Sequence, residues 1–384
     1  MFYLFFFLPL FFLILFIRCF IKFRIVELES RAIGHFSLPV EIFLCEIKSG
    51  IHGKPENLIW FSNKKIANQF LYKKWKEVCF LAPRIIFEKI FKLSNKIKFF
   101  GDIFLSPYRH WSKTTDWQAI DIYNVLKNTK PIIKFNNDEH NLANNFFKKN
   151  FSTIPPRYIC FFSRSHYYRG GHPCIRDSSI YNQLKGIERV CEDNFYAIRM
   201  SKIDRNSPLK NPNRKIFDYA YSPDKSDFLD IYFLYHCTYM ISTGSGIEEV
   251  PKLNRKEVVL VDYCDAKSMH RLELTPILLP KKIINLRTQE TVGYDEVFRK
   301  DLLQPKATHA SLRIMGYDYL DNTEDEIEMA IIEMHSYKVY GKKIENNFLN
   351  QKFWSLYEKH YKKLRPKNTH VSTSFLTKNK NLLN

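Results

Sequence analysis

Short apolar runs alternate with longer amphipathic stretches along most of this chain, the pattern of strands and helices in a parallel α/β sheet. Val26–Glu29 predicts a short strand leading into the loop Arg31–His35, and Pro39–Lys48 a helix with Val40, Phe43, Leu44 and Ile47 on one face. Asn57–Phe61 predicts a strand, Asn63–Val78 a helix, Cys79–Ala82 a strand and Arg84–Lys98 a helix. Trp117–Leu126 reads as helical, and Asn136–Asn150 is polar and Asn-rich.

Pro155-Pro156 marks a boundary, and beyond it the alternation restarts. Strand Tyr158–Phe162, helix Ser178–Cys191, strands Phe195–Met200 and Lys215–Tyr219, and helix Ser226–His236 follow in order. Strand Thr238–Ile241 then leads to a glycine turn, and Glu257–Val261 makes a strongly apolar strand. Helices Glu324–Tyr340 and Asn346–Leu364 precede a polar end expected to be mobile. The fold class expected is α/β, with two Rossmann-like domains joined near residue 153. The divisions are 1–24 (anchor), 25–153, 154–322 and a helical tail 323–384.

The glycine turn is the most informative stretch. Tyr239–Ile241 runs into Ser242-Thr243-Gly244-Ser245-Gly246 and a helix begins at once. Glycines let a ligand approach the backbone, and a helix start offers unpaired N–H groups to an anion. Thr243, Gly244, Ser245 and Gly246 are therefore candidate donors to a phosphate. Ser245-Gly246-Ile247-Glu248 also fits the capping box S-x-x-E, which needs no ligand.

Arg164 follows the strand Tyr158–Phe162 and would face the same sheet edge, where its planar fork suits two phosphate oxygens. Arg199 ends the next strand, where an ion pair closing the sheet competes with a ligand role. Asp227 opens the helix before the glycine strand and is a candidate for supporting the same side of the site. His35, after Gly34 near the end of the first strand, is a candidate base. Glu248 is a second catalytic candidate, although carboxylates at a helix start are favoured by the dipole anyway.

Charge and composition narrow the partners. Lys+Arg 59 against Asp+Glu 40 gives +19, which favours anionic partners. Phe2–Ile17 is apolar throughout, broken in character only by Pro9, and Arg18, Lys22 and Arg24 follow it. The run is just short of the ~20 residues that span a bilayer. With all flanking charge on its C-terminal side, it predicts an uncleaved inner-membrane anchor with the remainder cytoplasmic. The alternative is a helix lying in the interface. From Ser62 to Lys98, and again from Lys338 onward, lysines and arginines far outnumber acids and suit an anionic membrane surface. Eight scattered cysteines without a C-x-x-C pair read as reduced thiols.

Absent motifs exclude several classes. The chain has no Walker loop, no G-x-G-x-x-G and no G-x-S-x-G, against ATPase, dinucleotide and α/β-hydrolase readings. It has no Asp-x-Asp, so no metal clamp is expected, and no cofactor.

Taken in order, these stretches resemble a GT-B glycosyltransferase, and more closely a bacterial glycosyltransferase family associated with surface-polysaccharide synthesis. The matching residues are Arg31–His35, where the family has Arg-Ile-Gly-His without the extra Ala32, and the strand ending at Arg164. Ile198-Arg199-Met200, Lys225–Ile231, Ile241–Gly246 and Ser374-Phe375-Leu376 match as well, with Ser201-Lys202 where a glycine is usual. The resemblance implies a nucleotide-sugar donor in the C-terminal half, a glycan or lipid-linked acceptor in the N-terminal half, and transfer in the cleft between. Two other readings stay open. A membrane-attached nucleic-acid-binding protein would explain the charge, but the aromatics lie inside apolar elements rather than on a stacking platform, so no nucleic acid is expected. A non-catalytic binder of sugar phosphates would share every motif.

Overall fold

Strand-forming residues such as Phe23, Ile25 and Val26 are buried in the first sheet, and the chain around them forms one of two units, Met1–Asn136 and Asn137–Asn384. The computed structural model describes residues 2–51, 57–94, 104–105, 120–151, 157–166, 172–201, 208–210 and 213–384.

In the first unit, helix α1 (Phe2–Phe20) leads into strand β1 (Phe23–Leu28). Helices α2 (Ile33–Phe36) and α3 (Leu38–Lys48) follow, then β2 (Asn57–Ser62), α4 (Gln69–Val78) and α5 (Arg84–Ser94). Strand β3 (Phe104–Leu105) and helix α6 (Val125–Asn128) complete the described elements. β1 pairs in parallel with both neighbours, in the order β2-β1-β3. Burial on both faces accounts for its almost continuous apolar sequence. On one face Phe43 of α3 meets Trp60 edge-on at 5.5 Å. On the other, Phe23, Ile25 and Phe61 pack with Ile90 and Phe91 of α5.

Helix starts depart from expectation where a side chain caps. Asn68 accepts from the Leu71 N–H, so α4 begins at Gln69 rather than Asn63. Asp121 accepts from the N–H groups of Val125 and Leu126 at 2.7 and 2.9 Å, so residues 120–124 form a turn instead of the expected helix. Residues 117–119 lie outside the described residues, as do 95–98 of the expected Arg84–Lys98 helix. Cys79–Ala82 is not a strand; it touches the sheet through a single bridge, Trp60 to Leu81.

The apolar run expected as an anchor forms α1, and Ile14 is buried in the same cluster as Ile25 and Phe61. Among the described residues no helix is long and apolar enough to cross a membrane. Phe16 and Phe20 on α1 remain 64% and 74% exposed.

The second unit begins earlier than the Pro155-Pro156 boundary, which itself lies outside the described residues. Helix α7 (Asn137–Phe151) buries Phe146 and Phe147, both within 5.4 Å of the Phe233 ring, and so belongs to this unit. Strand β4 (Tyr158–Phe161), helix α8 (Leu184–Glu192), strands β5 (Tyr196–Arg199) and β6 (Ile216–Phe217), and helix α9 (Asp227–His236) follow. Then come β7 (Met240–Ser242), α10 (Glu249–Lys252), β8 (Val258–Tyr263) and β9 (Ile277–Pro280). Strand β10 (Lys282–Asn285), helices α11 (Tyr294–Arg299) and α12 (His309–Ile314), and strand β11 (Tyr317–Leu320) form a subsidiary layer in which β10 and β11 pair antiparallel. Helices α13 (Glu324–Tyr340) and α14 (Phe348–Tyr361), strand β12 (His370–Val371) and helix α15 (Thr373–Lys378) close the chain.

The main sheet is parallel throughout, in the order β12-β9-β8-β7-β4-β5-β6. Strand order therefore runs outward in one direction from β4 through β5 to β6, and in the other from β7 through β8 to β9. The reversal falls between β4 and β7, the place where doubly wound sheets open a crevice at their carboxyl edge. The final segment is not a mobile tail. β12 pairs with β9 at the sheet edge, and Phe375, Leu376, Leu382 and Leu383 are buried.

Candidate functional site

The carboxyl ends of β4 and β7 are stitched directly together. The backbone N–H of Arg164, beyond β4, donates to the Thr243 hydroxyl beyond β7 at 3.1 Å. Thr243 is fully buried, so its side chain serves this link. Next along, Gly244 has φ +83°, and a Cβ there would meet Cδ2 of Tyr263 at 2.9 Å. Glycine is required at 244 by backbone sign and by the ring above it.

Glu248 faces into the turn. Its carboxylate accepts from the Ser245 N–H at 2.7 Å and the Ser242 hydroxyl at 2.8 Å, forming the capping-box pair with Ser245. Burial pushes its carboxyl up to about 7, offset only partly by Lys252 and these hydrogen bonds. The capping role is the one its bonds describe, and the catalytic role expected for it gains no geometric support. The helix behind the turn is short. A 3-10 turn at Gly246–Glu248 passes into α10, which is four residues long. The dipole argument for an anion at this point therefore loses its basis. Ser245 and Gly246 remain partly exposed at the edge.

The segment between β4 and α8 proves to be the organising feature. Segment Cys174–Ser178 lies across the ends of four strands. The Arg164 Nε lies 3.8 Å from an Asp177 carboxylate oxygen, at the end of β4. The Arg176 guanidinium donates through Nη2 to the Gly244 carbonyl at 2.7 Å, at the end of β7. The Ser178 hydroxyl donates to Asp262 near the end of β8. The Lys281 ammonium, just past β9, donates to the Asp177 carbonyl and to Asp321, both at 2.7 Å. Lys281 is fully buried, and its charge also sits over the Tyr319 ring, 5.0 Å from the centroid.

Asp262 holds this arrangement at a cost. It has φ +50°, and the pairing of β8 with β9 shifts register between Leu260 and Tyr263. A left-handed non-glycine residue costs about 1–3 kcal/mol and persists where its surroundings over-determine it. Here Asn322 donates twice to the carboxylate, from its backbone N–H at 2.7 Å and its side chain at 2.8 Å. Burial raises the Asp262 carboxyl, against the pull of Lys281. Asp265, two residues past Tyr263, is raised mainly by burial while its hydrogen bond to Ser268 and the Arg176 charge lower it.

The other candidates fall as follows. Arg164 is buried beneath the loop. Arg199, also buried, pairs with Asp218 at 3.1 Å, the ion pair that closes the end of β5 against the residue after β6. Asp227 opens α9 behind its Ser226 cap, in the favourable first turn. His35 lies in α2 of the first unit, beyond β1. Burial alone would raise Glu29, but hydrogen bonds and charge from Arg31 win and hold it below the usual carboxylate range. Arg176, Asp177, Asp262 and Lys281 were not singled out from the sequence. Only a positive charge and an acid side by side in Arg176-Asp177, after a strand, hinted at them.

No protein-family model matches the chain, and no curated protein matches it. Solved structures give distant similarities. One is a family 9 glycosyl transferase from Veillonella parvula, at 10% identity and TM-score 0.35, over 62% of this chain and 80% of that one. Another is the NodZ α-1,6-fucosyltransferase soaked with GDP-fucose, at 12% identity and TM-score 0.34, over 63% and 96%. A third is the iron-containing heptosyltransferase TibC in complex with ADP-D-β-D-heptose, at 10% identity and TM-score 0.32, over 66% and 60%.

Proposed function

We propose that the chain is a glycosyltransferase that takes its sugar from a nucleotide-sugar donor. The observation that carries this reading is the strand reversal between β4 and β7, with the Thr243–Gly246 turn and two arginines gathered at its carboxyl edge. Ligands of open α/β sheets bind at such a reversal. Arginine favours a phosphorylated one. The motifs of dehydrogenases and P-loop enzymes are absent from the same edge.

In this reading the donor's phosphates lie over Ser245 and Gly246, and positive charge stabilises the departing nucleotide as the sugar bond breaks. His35, beside the Arg31-held Glu29, is the candidate base that takes the acceptor's proton. The acceptor is a glycan or a lipid-linked sugar in cell-surface glycan synthesis. Association with the cytoplasmic face of a membrane is part of the proposal. α1 favours lying in the interface, because one side of it packs on the first sheet while Phe16 and Phe20 stay exposed.

The test is chemical. The purified chain is incubated with UDP-, GDP-, ADP- and CMP-linked sugars and candidate acceptors, and free nucleotide is measured. Release from one donor that rises with acceptor supports transfer. Binding of a donor with no release under any acceptor condition favours the non-catalytic binder.

A further inference from the structure

Four features that would ordinarily hold a phosphate at the glycine turn are already spent. The Thr243 hydroxyl is fully buried against the Arg164 N–H and so closed off from a ligand, and the Ser245 N–H goes to Glu248. Tyr263 fills the space above Gly244, and the helix behind is too short to act as a dipole. Arg164 does not compensate, because its side chain is only 5% exposed and faces Asp177. An anion arriving at this edge needs another partner.

We infer that Arg176 is the residue that binds the donor's diphosphate, with Arg164 holding the loop beneath it. This rests on the nucleotide-sugar reading of the site and names the contact within it. Arg176 is partly exposed, and its Nη2 is fixed to the Gly244 carbonyl at 2.7 Å. Among the described residues that carbonyl is the one hydrogen-bond acceptor on the guanidinium. A guanidinium carries five N–H donors in a rigid fork, so most remain for a ligand. The bond to Gly244 orients the fork beside Ser245 and Gly246, both partly exposed. Pre-orientation of this kind lowers the entropy lost on binding. The loop does not depend on Arg176 for its place, since Asp177, Ser178 and Lys281 pin it to β4, β8 and β9.

Calorimetric titration of the full chain with UDP, GDP and ADP tests the inference, alongside Arg176→Gln and Arg176→Lys. The wild type is expected to bind at least one of the three. Arg176→Gln is expected to bind it at least tenfold more weakly, with the melting temperature nearly unchanged. Arg176→Lys, which keeps charge and loses the fork, is expected to weaken binding severalfold, and it decides the matter if the glutamine variant does not fold. Wild-type binding matched within twofold by the folded variants would overturn the role of Arg176 and leave the functional reading standing. Failure of the wild type to bind any of the three would overturn the role of Arg176, and the functional reading falls with it if no CMP-linked sugar is bound either.

Discussion

The ring of Tyr263 lies where a side chain on Gly244 would begin, its Cδ2 2.9 Å from the position of a Cβ. Two strands of the sheet, β7 and β8, thus meet above the turn through one aromatic ring. Tyr263 reaches that position just after the left-handed Asp262.

Gly244→Ala should therefore destabilise the fold through strain and collision together. Gly316 provides the control. It has φ +84° and nothing within 4 Å of the point a Cβ would occupy, so Gly316→Ala feels the backbone strain alone. That strain is about 1–2 kcal/mol. Chemical denaturation of both variants should give a clearly larger loss at 244; equal losses would mean that the ring yields freely.

Glu248 sets a pH dependence. Its carboxyl is raised from about 4.5 to about 7 by burial, so the fold prefers the protonated form. The group's contribution is fully present below its unfolded value and is lost as pH rises through the folded value. Glu248→Gln keeps an acceptor for Ser242 and Ser245 but does not titrate. The stability of wild type relative to this variant should fall between pH 4.5 and 7, by on the order of 2–3 kcal/mol. A difference that is flat across that range would mean that Glu248 is ionised at no cost.

The two sides of α1 should behave differently. Ile14→Ala removes a buried side chain from the cluster with Phe61 and Phe91 and should cost about 2 kcal/mol of stability. Phe16→Ser with Phe20→Ser alters exposed positions and should leave stability unchanged. Co-sedimentation with anionic vesicles should fall for the double variant if this side contacts lipid. Undiminished sedimentation would remove α1 from the proposed membrane surface.

Much of the fold was legible in the sequence where local signals agree. Helix α13 occupies Glu324–Tyr340 as its pattern predicts, because Thr323 caps it through the Glu326 N–H and Gly341 ends it in the left-handed region. The ion pair of Arg199 with Asp218 and the capping of Glu248 were each visible as competing roles. Hidden features join residues far apart in the chain. Ser178 meets Asp262 and Asp177 meets Lys281 only once the sheet exists, and no spacing rule connects them. The edge strand β12 was missed because it is two residues long, and its polar surroundings looked like a loose end. Helix α7 was placed with the wrong unit because its aromatic partners, Phe217 and Phe233, come much later.

The absence of Asp-x-Asp predicts turnover that survives chelation. Sugar transfer measured with excess EDTA should proceed at its untreated rate. A rate lost on chelation and restored by Mg²⁺ or Mn²⁺ would place a metal in the reaction.

The central claim is that the reversal between β4 and β7 holds a nucleotide sugar, and Gly246 tests it most directly. It lies outside the left-handed region that Gly244 occupies, and it is partly exposed, so a side chain there meets a ligand without left-handed backbone strain. Equilibrium binding of UDP-, GDP-, ADP- and CMP-linked sugars is measured for wild type and Gly246→Val, with melting temperatures recorded for both. The account predicts that wild type binds one donor class and that the folded valine variant loses at least tenfold in affinity. Equal affinity in the folded variant, or no donor bound by wild type, would contradict it.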